Sequence, residues 1–264
     1  MMKKKKILIT GGAGLIGSIL IKNLGHKYEF SSIDLRKVEG IESTESSLDN
    51  LSQIIPAFKN IDTVIHLAAD PAPDGSWDSV LKNNLISTYN VFEASRINKV
   101  KRVIFASSNH SEGGNYLDAP WKHICNGNFD LLKENDYDLI TENHNIRPDG
   151  LYGVSKAYGE ALGSYYNDYH NLSSFHLRIG WVIKGDDPTF SPFALSLWLS
   201  YRDVTQIMEL CIDAPESYRY DIFNATSDNQ WKIFSIEKIK NKLGYKPKDR
   251  ALSEYTPREY NKNI

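Results

Sequence analysis

A group of glycines near the start of the chain restricts the possible folds more than any other feature of the sequence. The segment 10–17 reads TGGAGLIG; it follows the apolar run Ile7-Leu8-Ile9 and opens a stretch whose apolar residues recur with helical spacing. A buried strand that turns through glycines directly into a helix is typical of the first β-α unit of a parallel sheet. Such a turn gathers backbone N–H groups and the positive end of the helix dipole, which together bind phosphate groups.

The glycine spacing and a later acidic residue predict a dinucleotide site. Gly11 permits the tight turn, Gly14 lets a pyrophosphate approach the backbone, and Gly17 lets the helix pack closely on the strand. Asp34 ends the second predicted strand, where its carboxylate would accept hydrogen bonds from the adenosine ribose and repel a 2′-phosphate. We therefore expect NAD rather than NADP as the cofactor. Arg36, two residues further on, would soften that preference if it met a 2′-phosphate.

Short apolar runs and helical patterns alternate along most of the chain. Strands are predicted over 6–10, 29–34, 63–67, 102–106, 174–179 and 219–224, and helices over 15–24, 49–60, 77–96, 149–170, 193–212 and 234–243. This alternation predicts an α/β fold with a Rossmann-type, doubly wound parallel sheet. We expect residues 1–180 to form the cofactor-binding domain and residues 181–264 a small C-terminal substrate lobe. Within the first, the polar and aromatic segment 111–148 is a long insertion, and such loops are usually functional or disordered.

The composition excludes several classes of protein. The chain carries 31 Lys and Arg against 33 Asp and Glu, a net charge of −2, whereas a nucleic-acid-binding protein needs a basic excess. No stretch reaches the ~20 apolar residues of a membrane span, and the N-terminal apolar run is too short for a secretion signal. The 2 cysteines cannot form a disulfide framework, and the His and Cys residues show no metal-ligand spacing. We expect a soluble, cytoplasmic protein without a metal site.

A tyrosine and a lysine near the start of a predicted helix suggest proton-transfer chemistry. Tyr152 and Lys156 are spaced so that the phenol and the ammonium group lie one turn apart on one helix face. A cation beside a phenol stabilises the phenolate and lowers the phenol pKa, which makes the tyrosine a workable acid and base. The strand at 102–106 continues into Ser107 and Ser108, at the carboxyl edge of the predicted sheet, where a serine can hydrogen-bond the reacting oxygen.

These motifs follow one another in the order of a known family. The glycine loop, the segment His66-Leu67-Ala68-Ala69, the strand ending in two serines and the Tyr-x-x-x-Lys pair resemble the extended short-chain dehydrogenase/reductase (NAD-dependent epimerase/dehydratase) superfamily. The resemblance implies that Tyr152 is the acid/base, that Lys156 holds the nicotinamide ribose, and that Ser108 orients the substrate oxygen. The cofactor-binding residues that it implies, together with those above, are Gly11, Gly14, Leu15, Ile16, Gly17, Asp34, Leu67, Ala68, Ala69, Asn84, Tyr152 and Lys156. The chain departs from the family at Ser46-Ser47-Leu48, where an acidic residue often contacts adenine.

Several segments resemble one small branch of that superfamily, the uronate dehydrogenases and the archaeal NAD-dependent glucose-6-phosphate dehydrogenases. These enzymes oxidise the C1 hemiacetal of a sugar to a lactone. The segments are 70–73, 77–80, 108–110, 147–156 and 198–203. The resemblance implies that Ser76, Asn109 and His110 line the sugar site. It also implies a homodimer, in which the helices near 77–97 and 149–170 pair across a two-fold axis.

The match to uronate dehydrogenases ends where those enzymes bind the substrate carboxylate. They carry a serine and an arginine at positions that are Trp181 and Phe190 here, and arginine is the natural bidentate partner of a carboxylate. Trp181 and Phe190 belong either to the core or to an aromatic platform for a sugar. The cations that could serve a phosphate, and that are otherwise solvated surface charges, are Lys122, His123, Arg147 and Lys184.

Three functions remain open at this point. The leading one is NAD-dependent oxidation of a hexose 6-phosphate or a uronate. A nucleotide-sugar epimerase or dehydratase would share every motif, but it usually has a larger C-terminal domain. A non-catalytic dinucleotide-binding regulator would usually have lost the tyrosine or the lysine, and this chain keeps both.

Overall fold

Seven parallel strands form one sheet in the computed structural model, in the spatial order β3-β2-β1-β4-β5-β6-β7. The strands are β1 (Lys6–Thr10), β2 (Glu29–Asp34), β3 (Glu42–Glu45), β4 (Thr63–His66), β5 (Arg102–Ser108), β6 (Ser173–Ile179) and β7 (Tyr220–Ala225). The order reverses between β1 and β4, and in open α/β sheets ligands bind at such a switch point, outside the carboxyl ends of the strands. The predicted α/β, Rossmann-type, doubly wound sheet is confirmed.

The structure describes residues 4–72 and 74–257. Pro73, which belongs to one of the predicted motifs, and the outer ends of the predicted divisions 1–180 and 181–264 lie outside the described residues. Within the described residues, no helix combines the length and the apolar character that crossing a membrane requires.

Helices cover both faces of the sheet. They are α1 (Leu15–Leu24), α2 (Leu51–Ile54), α3 (Trp77–Val80), α4 (Ser87–Ile97), α5 (Trp121–Cys125), α6 (Leu151–His170), α7 (Pro192–Leu197), α8 (Tyr201–Asp213) and α9 (Glu237–Leu243). Because successive side chains of a strand point to opposite faces, Ile7 and Ile9 join one core with α1, α8 and α9, while Leu8 joins the other with α2, α4 and α6. Burial of both faces is the condition under which an all-parallel sheet is stable.

Four elements differ from the sequence-based predictions. The helix expected over 49–60 is α-helical only over Leu51–Ile54 and continues as a 3-10 helix to Phe58, and the helix expected over 77–96 is divided by a π-helical segment, Leu81–Ile86. The sequence does not predict β3 because its residues, ESTE, are all polar and form an edge strand with no buried side chain. The single helix expected over 193–212 is two helices, since the chain is extended at Trp198 between α7 and α8. Ser200 then starts α8, its Oγ accepting a hydrogen bond from the Asp203 N–H at 3.1 Å.

The last part of the chain belongs to the sheet and its helical cover. β7 pairs with β6 along its whole length, and Val204 and Ile207 of α8 pack in the same core as Leu20 of α1. A boundary at residue 180 would therefore cut through one continuous core. The division into a cofactor-binding domain and a substrate lobe stays a prediction.

The segment 111–148 is folded over the carboxyl edge of the sheet. Its Ile124 and Ile140 are fully buried in a third core that includes Leu197 and Phe234 from the last part of the chain. The Ile140 N–H also donates to the Ile233 carbonyl at 2.9 Å. The segment thus shares a core with the last part of the chain, and this core lies beside the end of the sheet where ligands bind in this fold.

Candidate active site

A cleft of about 1020 Å³ lies along the carboxyl ends of the strands. It extends from the glycine loop, past Ser108 and Tyr152, to a wall formed by Trp181 and Phe193. The predicted site residues that line it are Gly11, Gly14, Leu15, Ile16, Gly17, Asp34, Leu67, Ala68, Ala69, Ser108, Asn109, His110, Tyr152 and Lys156. The structure therefore brings the predicted residues from separate parts of the chain to one place, with two exceptions, Asn84 and Ser76.

The glycine loop has the shape that a pyrophosphate requires. Gly11 has a φ of +78°, a conformation that favours glycine, and a Cβ at Gly17 would lie 2.7 Å from the Cα of Gly12. Gly14 is the N-cap of α1, and no side chain caps this helix start. The backbone N–H groups at the start of α1 are therefore available to phosphate oxygens, and the loop fits a dinucleotide.

Asp34 lies at the end of β2 and is held by the backbone. Its carboxylate accepts hydrogen bonds from the N–H groups of Ala13 at 2.9 Å and Arg36 at 3.0 Å. The Arg36 guanidinium donates to the Ala13 carbonyl at 3.1 Å, so both side chains stand at the mouth of this end of the cleft. The segment Ser46-Ser47-Leu48 lines the same end, with serines in place of the acidic residue often found there.

Tyr152, Ser108 and Lys156 meet at the middle of the cleft. Ser108 lies at the last position of β5, is 5% exposed, and acts to lower the pKa of the Tyr152 phenol. Its Oγ donates to the Asn109 Oδ1 at 3.3 Å. The Lys156 Nζ lies 5.2 Å from the centre of the Tyr152 ring and donates to the Ala106 carbonyl at 2.7 Å. The one-turn spacing on α6 thus places phenol and ammonium against the end of β5, as the sequence predicts.

In the chain alone the pKa of Tyr152 is raised, and the lowered pKa expected beside Lys156 and the nicotinamide ring stays a prediction for the cofactor-bound enzyme. Burial raises the pKa of Tyr152 to about 12, with the Asp70 charge adding to the rise and the Ser108 hydroxyl opposing it. Burial also lowers the pKa of Lys156 to about 7, which weakens it as a neighbouring charge. A further positive charge beside the phenol is needed to bring phenolate formation toward neutral pH.

Asn84 and Ser76 lie outside the lining of the cleft. Asn84 is buried in a one-turn π-helical segment between α3 and α4, a feature frequent at functional sites. Its side chain accepts from the Asp70 N–H at 2.8 Å and donates to the Ser155 Oγ at 3.0 Å. Asn84 therefore positions the loop after β4 and the start of α6, whereas Ser76 caps α3 by accepting from the Ser79 N–H at 3.3 Å.

Polar groups continue past Ser108 along the cleft. The Asn109 amide donates to the Tyr116 hydroxyl at 3.0 Å. The His110 Nδ1 lies 2.8 Å from the Asp149 carboxylate, and its ring meets the Tyr152 ring edge-on at 5.5 Å. These contacts fix both side chains beside the phenol.

An aromatic wall closes this end of the cleft. Trp181 lines the cleft, where it could serve as an aromatic platform for a sugar. Phe190 is 6% exposed and packs against Trp181 at 5.3 Å, so it belongs to the core. The sequence reasoning missed Phe193, which also lines the cleft and meets Trp181 at 6.1 Å. A Ser191-Pro192 pair is typical of a helix start and would have placed Phe193 in the first turn of α7.

A buried ionic cluster lies beneath the two serines. Arg178 of β6 is 2% exposed and forms a two-point salt bridge with Glu160, at 2.9 and 2.8 Å, and a contact of 2.8 Å with Glu112. Glu160 also accepts a hydrogen bond from Ser107 at 2.6 Å. Burial raises the pKa of Glu112 to about 8, with Arg178 opposing the rise. The cluster joins β5, β6, α6 and the start of the segment 111–148.

The fold and this site together define a dinucleotide-dependent enzyme of the short-chain dehydrogenase/reductase type. The chain belongs to the NAD dependent epimerase/dehydratase family, whose model matches residues 7–183. This membership confirms the predicted resemblance and NAD as the cofactor, and the dehydrogenases among the relatives of the chain confirm an NAD-dependent oxidoreductase as the class of enzyme.

Individual relatives cover nearly the whole chain. It is 34% identical over 259 residues to the NAD-dependent glucose-6-phosphate dehydrogenase of Haloferax volcanii, with 95% of each chain covered. It is 32% identical over 257 residues to the L-arabinose 1-dehydrogenase (NAD(P)(+)) of the same organism, with 94% of this chain and 98% of the relative covered. Among solved structures, a mutant uronate dehydrogenase from Agrobacterium tumefaciens complexed with NAD aligns with a TM-score of 0.80 at 26% identity, over 99% of this chain and 93% of that one.

Proposed function

We propose that this protein oxidises a sugar at its C1 hemiacetal to the lactone, with NAD as the hydride acceptor. One observation carries the proposal: Tyr152 and Ser108 both line the middle of a cleft that has a phosphate-binding glycine loop at one end and a polar and aromatic pocket at the other. The names of the relatives, which are dehydrogenases of glucose 6-phosphate, L-arabinose and uronates, support a sugar as the substrate.

Each side chain of the site has its own role in the proposed reaction. The C1 hydroxyl oxygen would accept a hydrogen bond from Ser108 and donate its proton to Tyr152, because a base must stand within hydrogen-bond reach of the proton that it removes. Bound NAD supplies the acceptor for the hydride that leaves C1. Lys156 stands one turn below the phenol, with its Nζ held by the Ala106 carbonyl, and favours the phenolate whenever it is protonated. The oxygen keeps the electron pair of its O–H bond and forms the lactone carbonyl.

A screen of sugars with NAD tests this proposal. We expect NADH to form in the same amount as the sugar consumed, measured by its absorbance, with a lactone or its hydrolysis product as the other product. An epimerase or dehydratase would return the hydride to its substrate and accumulate no NADH. Failure of every free, acidic and phosphorylated sugar in the screen would contradict the proposal.

We also propose that the protein is a homodimer joined through α4 and α6. These two helices pack side by side, and each exposes apolar side chains at helical spacing along its outer face. They are Ile86, Tyr89 and Ile97 beside and on α4, and Leu151, Val154, Tyr165 and Tyr169 on α6. Exposed apolar stripes on neighbouring helices are typical of a two-fold interface.

A cytoplasmic location stays a prediction. Both cysteines are unbridged, and unbridged cysteines are typical of a reducing compartment.

A further inference from the structure

The charges along the cleft are distributed unevenly. Apart from the Tyr152 phenol, the ionisable side chains among the described residues of its lining are Asp34, Arg36, Asp70, His110 and Lys156. Asp34 and Arg36 belong to the end at β2, next to the glycine loop. At the other end, among described residues, Lys156 is the one lysine or arginine on the lining, and it is 4% exposed with its Nζ bound to the Ala106 carbonyl.

The cations that could have served an anionic sugar lie elsewhere. Lys122, Arg147 and Lys184 are exposed side chains outside the described lining, and His123 does not line the cleft either. Arg147 forms a salt bridge with Asp118 on the surface. None of the four therefore lines the cleft in which a sugar beside Tyr152 would bind.

Carboxylates balance or exceed the remaining positive charge near this end. His110 is paired with Asp149 at 2.8 Å. The buried guanidinium of Arg178 is enclosed by Glu160 and Glu112, so its charge does not reach the cleft unopposed. An anionic group buried here would lose its hydration without gaining a cationic partner, which is costly.

The shape of this end suits the ring of an uncharged sugar. Trp181, Phe193 and Leu197 give it an apolar side, against which the C–H bonds of a sugar ring can pack. Asn109 and His110 give it a polar side, whose amide and imidazole groups can hydrogen-bond hydroxyls. A few placed polar groups on an otherwise apolar lining is the usual form of a small-molecule site.

We propose that the substrate is an uncharged aldose, which carries neither a carboxylate nor a phosphate. This inference rests on the proposed C1 oxidation and narrows its range of substrates. It differs from the sequence-based expectation of a hexose 6-phosphate or a uronate, because among the described residues of the substrate end the one lysine or arginine is Lys156, whose Nζ is bound to the Ala106 carbonyl.

Matched pairs of sugars test the proposal on the wild-type enzyme. Glucose is compared with glucose 6-phosphate and galactose with galacturonate, since each pair differs only at C6, and arabinose and xylose extend the neutral series. We expect kcat/KM with NAD to be at least ~10-fold higher for the neutral member of each pair, since a charge without a partner weakens transition-state binding. Higher values for the charged members would overturn this inference while leaving C1 oxidation in place. A lack of NADH formation with every sugar would instead overturn the proposed function, and the inference with it.

A pair of variants tests the cause of the selectivity. Phe193→Arg places a cation at the substrate end, and Phe193→Leu removes the same aromatic ring without adding charge. We expect Phe193→Arg to raise the charged-to-neutral ratio of kcat/KM at least ~10-fold above that of Phe193→Leu, because arginine pairs strongly with phosphate and carboxylate. NAD binding and the melting temperature show that both variants are folded. Equal ratios in two folded variants would mean that charge at this end does not set the selectivity, and would overturn the inference.

Discussion

At the residue scale, the proposed acid/base is a phenol whose pKa the fold raises. Tyr152→Phe removes the acid/base and keeps the ring, so we expect kcat to fall at least ~100-fold, the lower range for loss of a general base. Binding of NAD, measured by calorimetry, should stay within about twofold. Tyr158→Phe, on the same helix, is the matched control and should retain wild-type kcat. A Tyr152→Phe enzyme with most of its activity would show that another group removes the proton.

The burial of Tyr152 fixes the sign of the pH dependence. The pKa of Tyr152 is raised to about 12 in the chain alone, and only the ionised phenol can accept the proton. Oxidation should therefore rise with pH through neutrality and weaken as pH falls, with an apparent midpoint in kcat below 12 because the positive nicotinamide ring favours the phenolate. Profiles of kcat against pH at saturating NAD and sugar measure this. A rate that increased toward acid pH would contradict the assignment of Tyr152 as base.

Asp34 should decide between NAD and NADP. Its carboxylate stands at the mouth of the adenosine end beside Arg36, where it would repel a 2′-phosphate. We expect Asp34→Ser to raise the ratio of kcat/KM for NADP over NAD at least ~10-fold, because the repulsion is lost and the guanidinium becomes a phosphate partner. The double variant Asp34→Ser/Arg36→Ala should lose most of that gain. A wild-type enzyme that used NADP as well as NAD would contradict the role given to Asp34.

At the scale of elements, the cluster around Arg178 links two strands, a helix and the segment 111–148. Glu160→Gln breaks a buried two-point salt bridge, and we expect it to lower the free energy of unfolding by about 3–5 kcal/mol. Glu112→Gln should change it much less at pH 7, because burial raises the pKa of Glu112 to about 8 and an amide resembles the protonated acid. Urea unfolding of both variants makes the comparison. A larger loss for Glu112→Gln than for Glu160→Gln would contradict this account of the cluster.

The same cluster gives stability a pH dependence. The pKa of Glu112 is raised from 4.5 to about 8 on folding, so the folded state binds the extra proton and its stability should fall as pH rises through that window. Glu112→Gln removes the titrating group and should flatten the slope of unfolding free energy between pH 5 and about 8. An unchanged slope would assign the dependence to other groups.

Elements with a strong local signal are predictable from the sequence, and those fixed by distant contacts are not. β1 and β2 match their predicted bounds: the apolar run of β1 ends before the glycine loop, and β2 ends at Asp34. β3 is polar and pairs only as an edge strand, so its sequence carries no apolar pattern. The break before Ser200 depends on the backbone of Trp181, which bonds to the segment between α7 and α8, and this contact has no local signature.

The same holds for the site residues: those with a local sequence pattern are predictable, and those placed by distant packing are not. Tyr152 and Lys156 are found by their spacing on one helix, and the glycine loop by its pattern. The position of Phe193 in the wall, and the pairing of Arg178 with Glu112, depend on how the segment 111–148 packs over the sheet. The raised pKa of Tyr152 is likewise a consequence of burial, which a sequence does not state.

At the scale of the whole molecule, the outer face of α4 and α6 should hold two copies together. We expect light scattering after size-exclusion chromatography to give twice the chain mass of 30.0 kDa. Tyr89→Glu and Val154→Glu place charges in the apolar stripe and should yield monomers, because a buried unpaired charge is costly. Leu131→Glu, at an exposed apolar residue outside both helices, is the control and should stay dimeric. A wild-type protein that is monomeric at micromolar concentration would contradict the dimer.

The most direct test of the central claim is the stoichiometry of a single reaction mixture. Wild-type protein is incubated with NAD and an aldose that it accepts, while NADH is followed by absorbance and the sugar by NMR. We expect one NADH for each sugar converted to lactone, and the loss of both products together in Tyr152→Phe. Conversion of the sugar to an epimer or a dehydrated product without NADH would contradict it.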